Sequence, residues 1–324
     1  MNTKKIIALL LREAGIGLAL LLLCIVFTIA APRFASGTNI TNILTQISIN
    51  TVISVGMTFA ILLGGIDLSV GSVLALSTII AGQIIINPSF SVGTAVFLAV
   101  LGSLAVGMTA GFLNGFVSER WKIHPFITTL GMLNIARGAA LQVSQSRTIF
   151  NFPPAFNAFG SLDFFGIPFI FIIAVTVVLV GRFILNQTVF GRMIYAIGNN
   201  EEAVRLSGHT PARYKVLAYV LGGATVGLAA IMYMLRLNIS SPILGVGFEL
   251  KAIAAVVIGG TSMSGGKGSM MGTFLGACII GVLDNGLILI GIGDFARQMV
   301  TGLIIVVAVI IDSYRAKISI KTEA

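Results

Sequence analysis

Charged residues are scarce in this sequence of 324 residues. Asp, Glu, Lys and Arg together make up 10% of it, whereas an ordinary soluble domain carries about 25%. Hydrophobic residues account for 56%, and the mean hydropathy is +1.03. So little charge excludes a soluble globular domain, and the composition indicates a polytopic membrane protein.

Side chains that bind metals or carry out catalysis are equally few. The two cysteines, Cys24 and Cys278, lie within apolar runs, where a free cysteine behaves as a small hydrophobic residue. The two histidines, His124 and His209, are far apart in the sequence and have no cysteine or carboxylate at ligand spacing. We therefore expect no metal site and no enzymatic activity in this chain.

One stretch, TSMSGGKG at residues 261–268, is similar to a phosphate-binding loop. That pattern needs glycine where Thr261 stands and a hydroxyl residue where Gly268 stands, so two required residues are missing. The net charge of +9 does not indicate a nucleic-acid partner, since the basic residues form no patch with interleaved aromatic residues. We expect no nucleotide cofactor and no nucleic acid to bind this chain.

Long apolar runs recur along the whole chain. Crossing a hydrocarbon core of roughly 30 Å takes about 20 helical residues. We therefore expect an all-α membrane protein in which residues 1–324 form a single transmembrane domain. About ten spans are predicted, the third broken by glycine and the eighth short, at residues 14–31, 46–63, 70–86, 92–118, 126–142, 167–185, 216–235, 251–263, 270–291 and 297–312.

The basic residues indicate the orientation of the chain. With the N-terminus in the cytoplasm and an even number of spans, most Lys and Arg residues fall on the inner side, as the positive-inside rule requires. Both termini are therefore predicted to be cytoplasmic. The inner basic residues are Lys4, Lys5, Arg12, Arg120, Lys122, Arg182, Arg192, Arg205, Arg213, Lys215, Lys267, Arg315, Lys317 and Lys321.

Residues 186–215 form a polar, charge-rich segment between two apolar spans. Asn200 is suited to cap a short helix, Glu201 and Glu202 would lie in its first turn, and Gly208 could end it. A pore embedded in lipid needs no such cytoplasmic segment, whereas a permease driven by a separate motor must present a folded surface to that motor. We therefore interpret residues 186–215 as a cytoplasmic coupling loop.

Glycines bracket two short stretches, IDLS and TSMS, that each follow a hydrophobic run. Glycine at membrane depth permits close helix packing or a break in a helix. Both readings stay open, and the second makes these residues candidate gating turns at the inner face. Asp67 is expected to cap the helix after the first stretch. The glycines are Gly64, Gly65 and Gly71 in the first stretch and Gly259, Gly260, Gly265 and Gly266 in the second.

Uncharged polar residues within the spans are candidates for a substrate path. Asn50, Ser54 and Thr58 share one helical face, because they repeat every four residues. Such amides and hydroxyls suit a neutral polyhydroxylated solute, although they equally suit hydrogen bonds between helices. Arg137, inside the fifth span, should find a carbonyl or carboxylate partner or extend outward. Further candidates for the path are Asn114, Thr129 and Asn134.

Four motifs occur in one order: ILLGGIDLSVGSVLAL, NEEAVRLSGH, GFELKAIAAVVIGGTSMSGGKGS and LDNGLILIG. Together they resemble the ribose-type monosaccharide permeases of bacterial ATP-binding-cassette importers, from about Asn39 to Asp312. The resemblance implies a ten-helix fold of the vitamin B12-importer type. It also implies a dimer in the bacterial inner membrane, in contact with lipid and served by a soluble sugar-binding protein that docks on the loops 143–166 and 237–250.

The same resemblance implies how transport is driven. Permeases of these importers insert a short cytoplasmic helix, marked by Glu-Ala-Ala and a later glycine, into an ATPase that is commonly a tandem fusion. Glu202, Ala203 and Val204 stand at the first three positions, with Val204 departing from alanine, and Gly208 is the glycine. Arg205 would face an acidic surface of the ATPase. The sugar itself stays open between ribose, another small polyol and a signalling furanose. An ion-coupled secondary sugar transporter and a passive channel are the two rival classes.

Overall fold

The structure, a computed structural model, describes the backbone of residues 3–323 and the side chains of residues 13–307, 309 and 310. Its helices are α1 (Thr3–Ala30), α2 (Gly37–Leu62), α3 (Val70–Ile85), α4 (Val92–Trp121), α5 (Pro125–Ser144), α6 (Pro154–Gly160), α7 (Phe169–Gln187), α8 (Val189–Asn199), α9 (Glu201–Leu206), α10 (Pro211–Leu237), α11 (Phe248–Ile258), α12 (Met270–Leu289) and α13 (Asp294–Glu323).

Each of the ten predicted apolar runs falls on a helix, so the prediction of an all-α polytopic membrane protein is confirmed. Among the described residues, six helices are long and apolar enough to cross a membrane: α1 from Glu13, α2, α4, α7, α10 and α12. The count of ten therefore stays a prediction. The predicted extent of the eighth span, 251–263, was wrong. Helix α11 ends at Ile258, and the chain turns at Gly259 and Gly260.

The orientation of the chain also stays a prediction. Part of the argument for it rests on basic side chains that lie outside the described residues. These are Lys4, Lys5, Arg12, Arg315, Lys317 and Lys321.

Helix α2 lies at the centre of the protein and packs against α7, α10, α11 and α12. Its side chains Ile53 and Ile61 are completely buried, and they share one apolar cluster with Val226 of α10 and Val256 of α11. Lipid tails are as apolar as these side chains, so burial alone does not drive such helices together, and close packing must do so. The packing around α2 therefore decides where the polar residues of this helix come to lie.

Helices α4 and α10 cross at a stripe of glycines. A Cβ atom added at Gly107 would lie 2.1 Å from the carbonyl oxygen of Gly223, and one added at Gly111 would lie 2.1 Å from that of Tyr219. Gly115, one turn further along α4, faces the Cα atom of Val216. Spacing of small residues every four positions is the pattern that lets membrane helices approach closely. The first half of α10 and the second half of α4 are thereby held side by side.

Four two-residue strands form two antiparallel pairs outside the helices: β1 (Ile149–Phe150), β2 (Asp163–Phe164), β3 (Ile167–Pro168) and β4 (Ile239–Ser240). Strands β2 and β3 form a hairpin before α7. Strand β1 pairs with β4, with Ile149 opposite Ser240. The loop after α5 is thus joined to the loop after α10.

The glycine stripe predicts the effect of a small added side chain. Replacing Gly111→Ala should lower the free energy of unfolding by about 1–3 kcal/mol, because the methyl group meets backbone that cannot move without separating α4 from α10. The measurement is the fraction of detergent-purified protein that stays monodisperse after heating.

The matched control is Gly138→Ala in α5, where a Cβ atom has no neighbour within 4 Å in the described part of the chain. This change should leave stability unaltered or raise it by up to about 1 kcal/mol, since alanine favours helix over glycine. Equal behaviour of the two variants would contradict the close crossing.

Candidate functional site

The polar segment 186–215 folds into two short helices, α8 and α9, between the long helices α7 and α10. The side-chain oxygen of Asn200 accepts a hydrogen bond from the Ala203 N–H at 3.0 Å, so the predicted cap is confirmed. Helix α9 ends at Leu206, and Gly208 follows with φ +84°, a left-handed conformation that glycine adopts without strain. The helix therefore begins and ends where the sequence predicted.

Helix α9 presents charge on one side and one buried side chain on the other. Arg205 donates a hydrogen bond to Glu202 at 2.8 Å, and this contact holds the pKa of the Glu202 carboxyl below its usual value. Val204 is buried, whereas Leu206 is 76% exposed. Because both charges and Leu206 face outward, α9 has a free surface that a partner could cover.

Lys215, at the start of α10, ties α9 to the transmembrane helices. Its ammonium group contacts Glu201 at 2.7 Å and Glu119, near the end of α4, at 3.0 Å. Glu119 also pairs with Lys122 at 3.3 Å. Helix α9 is thus linked electrostatically to α4 and α10, the two helices joined by the glycine stripe.

Helix α8 brings the two predicted glycine stretches together. The N–H of Gly266 donates to the carbonyl oxygen of Leu62, at the end of α2, at 2.9 Å. A Cβ atom added at Gly198 in α8 would lie 1.9 Å from that same oxygen and 2.5 Å from the Gly266 nitrogen. Asn199 donates a further, longer bond to the Gly266 carbonyl at 3.4 Å. Three segments far apart in sequence thus meet at backbone distance.

The other glycines of the two stretches lie in turns or at close contacts. Gly64, Gly260 and Gly265 have φ between +77° and +85°. A Cβ atom at Gly71 would lie 2.1 Å from the Gly245 carbonyl oxygen, and one at Gly259 would lie 2.3 Å from that of Gly272. A Cβ atom at Gly65 would lie 2.4 Å from the Tyr219 hydroxyl. Their predicted part in gating stays a prediction.

The prediction that Asp67 caps α3 was wrong. Its carboxylate accepts hydrogen bonds from the N–H and the hydroxyl of Ser69, at 2.8 and 2.6 Å, and α3 begins only after Ser69. Asp67 therefore closes a turn before the helix instead of reaching the free N–H groups of its first turn. Asn114 of α4 donates to the Ser69 hydroxyl at 3.0 Å, and Thr129 of α5 donates to the Ile66 carbonyl at 3.1 Å.

The predicted path residues thus occupy different surroundings. Asn114 and Thr129 hold the turn between α2 and α3. The Thr58 hydroxyl lies 2.8 Å from that of Thr273, which joins α2 to α12, and Ser54 is completely buried. Asn134 is exposed on α5 and donates to the Leu130 carbonyl of its own helix at 3.1 Å. Asn50 is the path candidate that lines the cavity described next.

A cavity of about 290 Å³ lies between α2, α10, α11 and α12. Lys251 of α11 and Asp284 of α12 form an ion pair in its lining. The rings of Tyr233 and Phe248, 5.9 Å apart, form another part of its wall. Gln46, Asn50 and Arg236 are further polar lining residues. Of these residues only Asn50 was predicted as part of the path, because the lining comes from four helices far apart in sequence. Lys251 and Asp284 fall within two of the motifs quoted above, and a charge beside or inside an apolar run is the signal that could have identified them.

A second cavity, of about 360 Å³, lies beside the start of α9. Its lining includes Gly64 and Gly65 from the α2–α3 turn, Glu119 and Lys215 from the ion-pair chain, and Tyr219 of α10. The Tyr219 side chain is 3% exposed. The cavity lies where α9 meets the long helices, beside the ion pairs that Lys215 makes.

Arg137 reaches the loop between β4 and α11, and of the partners predicted for it the structure shows carbonyl oxygens. Its guanidinium donates to the carbonyl oxygens of Pro242 at 2.5 Å and Leu244 at 2.8 Å, in the loop between β4 and α11. Together with the β1–β4 pairing, this contact holds the loops 143–166 and 237–250 against one another. The two loops predicted to face a binding protein are therefore neighbours.

Comparison with known proteins places this arrangement among transport systems. Residues 39–309 match the sequence profile described as the permease component of branched-chain amino acid transport systems. The ribose import permease protein RbsC of Bacillus subtilis (strain 168) is 40% identical over 93% of this chain and 93% of its own length. RbsC of Escherichia coli (strain K12) is 38% identical, over 91% of this chain and 92% of its own length.

Relatives for other sugars are nearly as similar. The D-allose transport system permease protein AlsC of Escherichia coli (strain K12) is 35% identical over 96% of this chain and 94% of its own length. No solved structure matches the chain. The chain belongs to the transport-system permease family that the profile describes, and its resemblance to ribose-type permeases of ATP-binding-cassette importers is confirmed.

Proposed function

We propose that this chain is the membrane-spanning permease subunit of an ATP-driven sugar importer. It receives a neutral monosaccharide from a soluble binding protein and releases it into the cytoplasm by alternating access, while a separate ATPase subunit hydrolyses ATP. The observation that carries the proposal is the capped helix α9, exposed on one side and joined on the other to the helices that cross the membrane.

The contacts of α8 and α9 support a route for coupling. Movement of α9 would act on α10 and α4 through Lys215, and on α2 through the contact of Gly198 with Leu62. Packed elements shift between discrete arrangements more readily than they deform, so a small displacement at the ATPase would move whole helices. In this proposal Asn200, Glu201, Glu202, Ala203, Arg205 and Gly208 form the coupling helix.

The arrangement in the membrane is proposed in the same terms. All ten apolar helices span the bilayer in the vitamin B12-importer architecture, with both termini cytoplasmic. Two copies of the chain enclose the path, and the ATPase is a tandem fusion. Arg192, Arg205, Arg213 and Lys215 support this orientation, since basic residues concentrate on the cytoplasmic side of membrane proteins.

Ribose is the proposed substrate, because relatives named for ribose import are the more similar ones, at 38–40% identity against 35% for the D-allose permease. Another small polyol or a furanose remains the alternative within the same class. An ion-coupled secondary transporter is the other alternative, and it would need neither α9 nor an ATPase.

Replacing Gly208→Val tests the coupling helix. A β-branched residue disfavours the left-handed conformation of Gly208 by about 1–2 kcal/mol, so the end of α9 should be reshaped and ribose uptake should fall roughly five- to thirtyfold. The measurement is ATP-dependent uptake into proteoliposomes that contain the purified permease with its copurified ATPase and binding protein.

Gly208→Asn is the matched control, because asparagine tolerates the left-handed conformation and a Cβ atom at Gly208 meets nothing within 4 Å in the described structure. It should retain near-normal uptake. Full uptake by Gly208→Val would refute the coupling role, and uptake by the permease without an ATPase would favour the secondary transporter.

Gly198→Ala tests the contact between the coupling segment and α2. The added methyl group would force α8 away from Leu62 and Gly266, which should reduce uptake per ATP hydrolysed about tenfold. Gly131→Ala in α5, where a Cβ atom has open space, is the control. The ratio of sugar taken up to phosphate released is the measurement, and an unchanged ratio in Gly198→Ala would show that this contact does not carry coupling.

A further inference from the structure

We propose that the cavity between α2, α10, α11 and α12 is the site at which this chain holds the sugar during translocation. The inference rests on the proposed function and adds to it the residues that contact the substrate. It assigns Gln46, Asn50, Tyr233 and Arg236 to recognition, and the Lys251–Asp284 pair to the wall of the site.

The position of the cavity suits a translocation site. Asn50 lies twelve residues before Leu62, the end of α2 that meets the coupling segment, and this separation corresponds to about 18 Å along the helix. Tyr233 and Arg236 lie at the end of α10 opposite to the end that carries Lys215. The cavity is therefore remote from the segment 186–215. It lies beside the middle of α2, which is long enough to span the membrane, and beside the far end of α10.

Amide groups give the cavity donors and acceptors for hydroxyl groups. Gln46 and Asn50 are one helical turn apart on α2 and both line the cavity. The side-chain nitrogen of Asn50 is buried and makes no hydrogen bond within the described part of the chain. A buried donor without a partner is costly, so a sugar hydroxyl that accepts from it would be bound selectively.

The ion pair in the wall of the cavity adds no net charge to it. Asp284 is buried and is compensated by Lys251, so neither group is left to attract an ion. Arg236 makes no ion pair within the described residues and is exposed at its position in the lining. Its planar fork of N–H groups can donate to two neighbouring hydroxyls at once.

Two rings supply an apolar surface for the sugar. Tyr233 and Phe248 lie 5.9 Å apart, from α10 and α11, and both line the cavity. The C–H face of a sugar ring packs on an aromatic face, while its hydroxyls point to the polar groups around it. At about 290 Å³ the cavity is just below the usual range of ligand sites, roughly 300–1,000 Å³, and a single monosaccharide ring is a small ligand.

The test separates recognition from coupling. In the purified importer, with its copurified ATPase and binding protein in proteoliposomes, Gln46→Leu removes the amide and nearly preserves the side-chain volume. Uptake of radiolabelled D-ribose should fall about tenfold, the effect of losing one hydrogen bond of about 1.4 kcal/mol. ATP hydrolysis stimulated by the sugar-loaded binding protein should persist, so that less sugar moves per ATP.

Two further variants complete the test, one as a matched control and one as a second substitution in the cavity. Gln142→Leu makes the same change at an exposed position on α5 outside the cavity and should transport normally. Arg236→Gln, at an exposed side chain, should lower uptake as Gln46→Leu does, and it serves as the test if Gln46→Leu fails to fold.

The outcomes distinguish the inference from the proposed function. Uptake within twofold of wild type in folded Gln46→Leu and Arg236→Gln would overturn the assignment of the cavity, and so would equal losses of uptake and ATP hydrolysis. Failure of the wild-type importer to take up ribose or any other monosaccharide would instead overturn the proposed function itself.

Discussion

Gly198 lies so close to the end of α2 that one added carbon atom would touch the Leu62 carbonyl oxygen, and the hydrogen bond from Gly266 reaches the same oxygen. Around this one acceptor the coupling segment, the first glycine stretch and the second glycine stretch are fixed in place. The position of α8 relative to α2 depends on these contacts with the Leu62 carbonyl oxygen. Any larger residue at Gly198 or Gly266 would separate elements that the sequence keeps far apart.

The same constraint acts throughout the membrane-spanning part. Between helices surrounded by lipid, apolar side chains gain nothing by leaving one apolar environment for another, so backbone approach and van der Waals contact must supply the attraction. Glycines allow this approach where helices cross closely, as at the crossing of α4 and α10. Polar side chains add hydrogen bonds between elements, such as those between Thr58 and Thr273 and between Arg137 and the loop before α11.

Much of the fold could be predicted from the sequence because apolar run length and capping residues are local signals. The positions of the apolar helices, the cap at Asn200 and the glycine that follows α9 at Gly208 follow from neighbouring residues alone. The predicted role of Asp67 was wrong because a carboxylate two residues before Ser69 can close a turn as readily as it can cap a helix. The cavity around Asp284 could not be predicted, since its lining comes from four helices whose relative rotation is set by packing and not by any motif.

Pairing of β1 with β4, together with the two hydrogen bonds from Arg137, holds the loops 143–166 and 237–250 together. The second of these loops runs, within a few residues, into Phe248 and Lys251 at the wall of the cavity. A displacement of these loops thus reaches the cavity along one short covalent segment, without passing through a long helix. The loop 237–250 and the cavity are therefore directly connected, while the segment 186–215 contacts the opposite ends of α2 and α10.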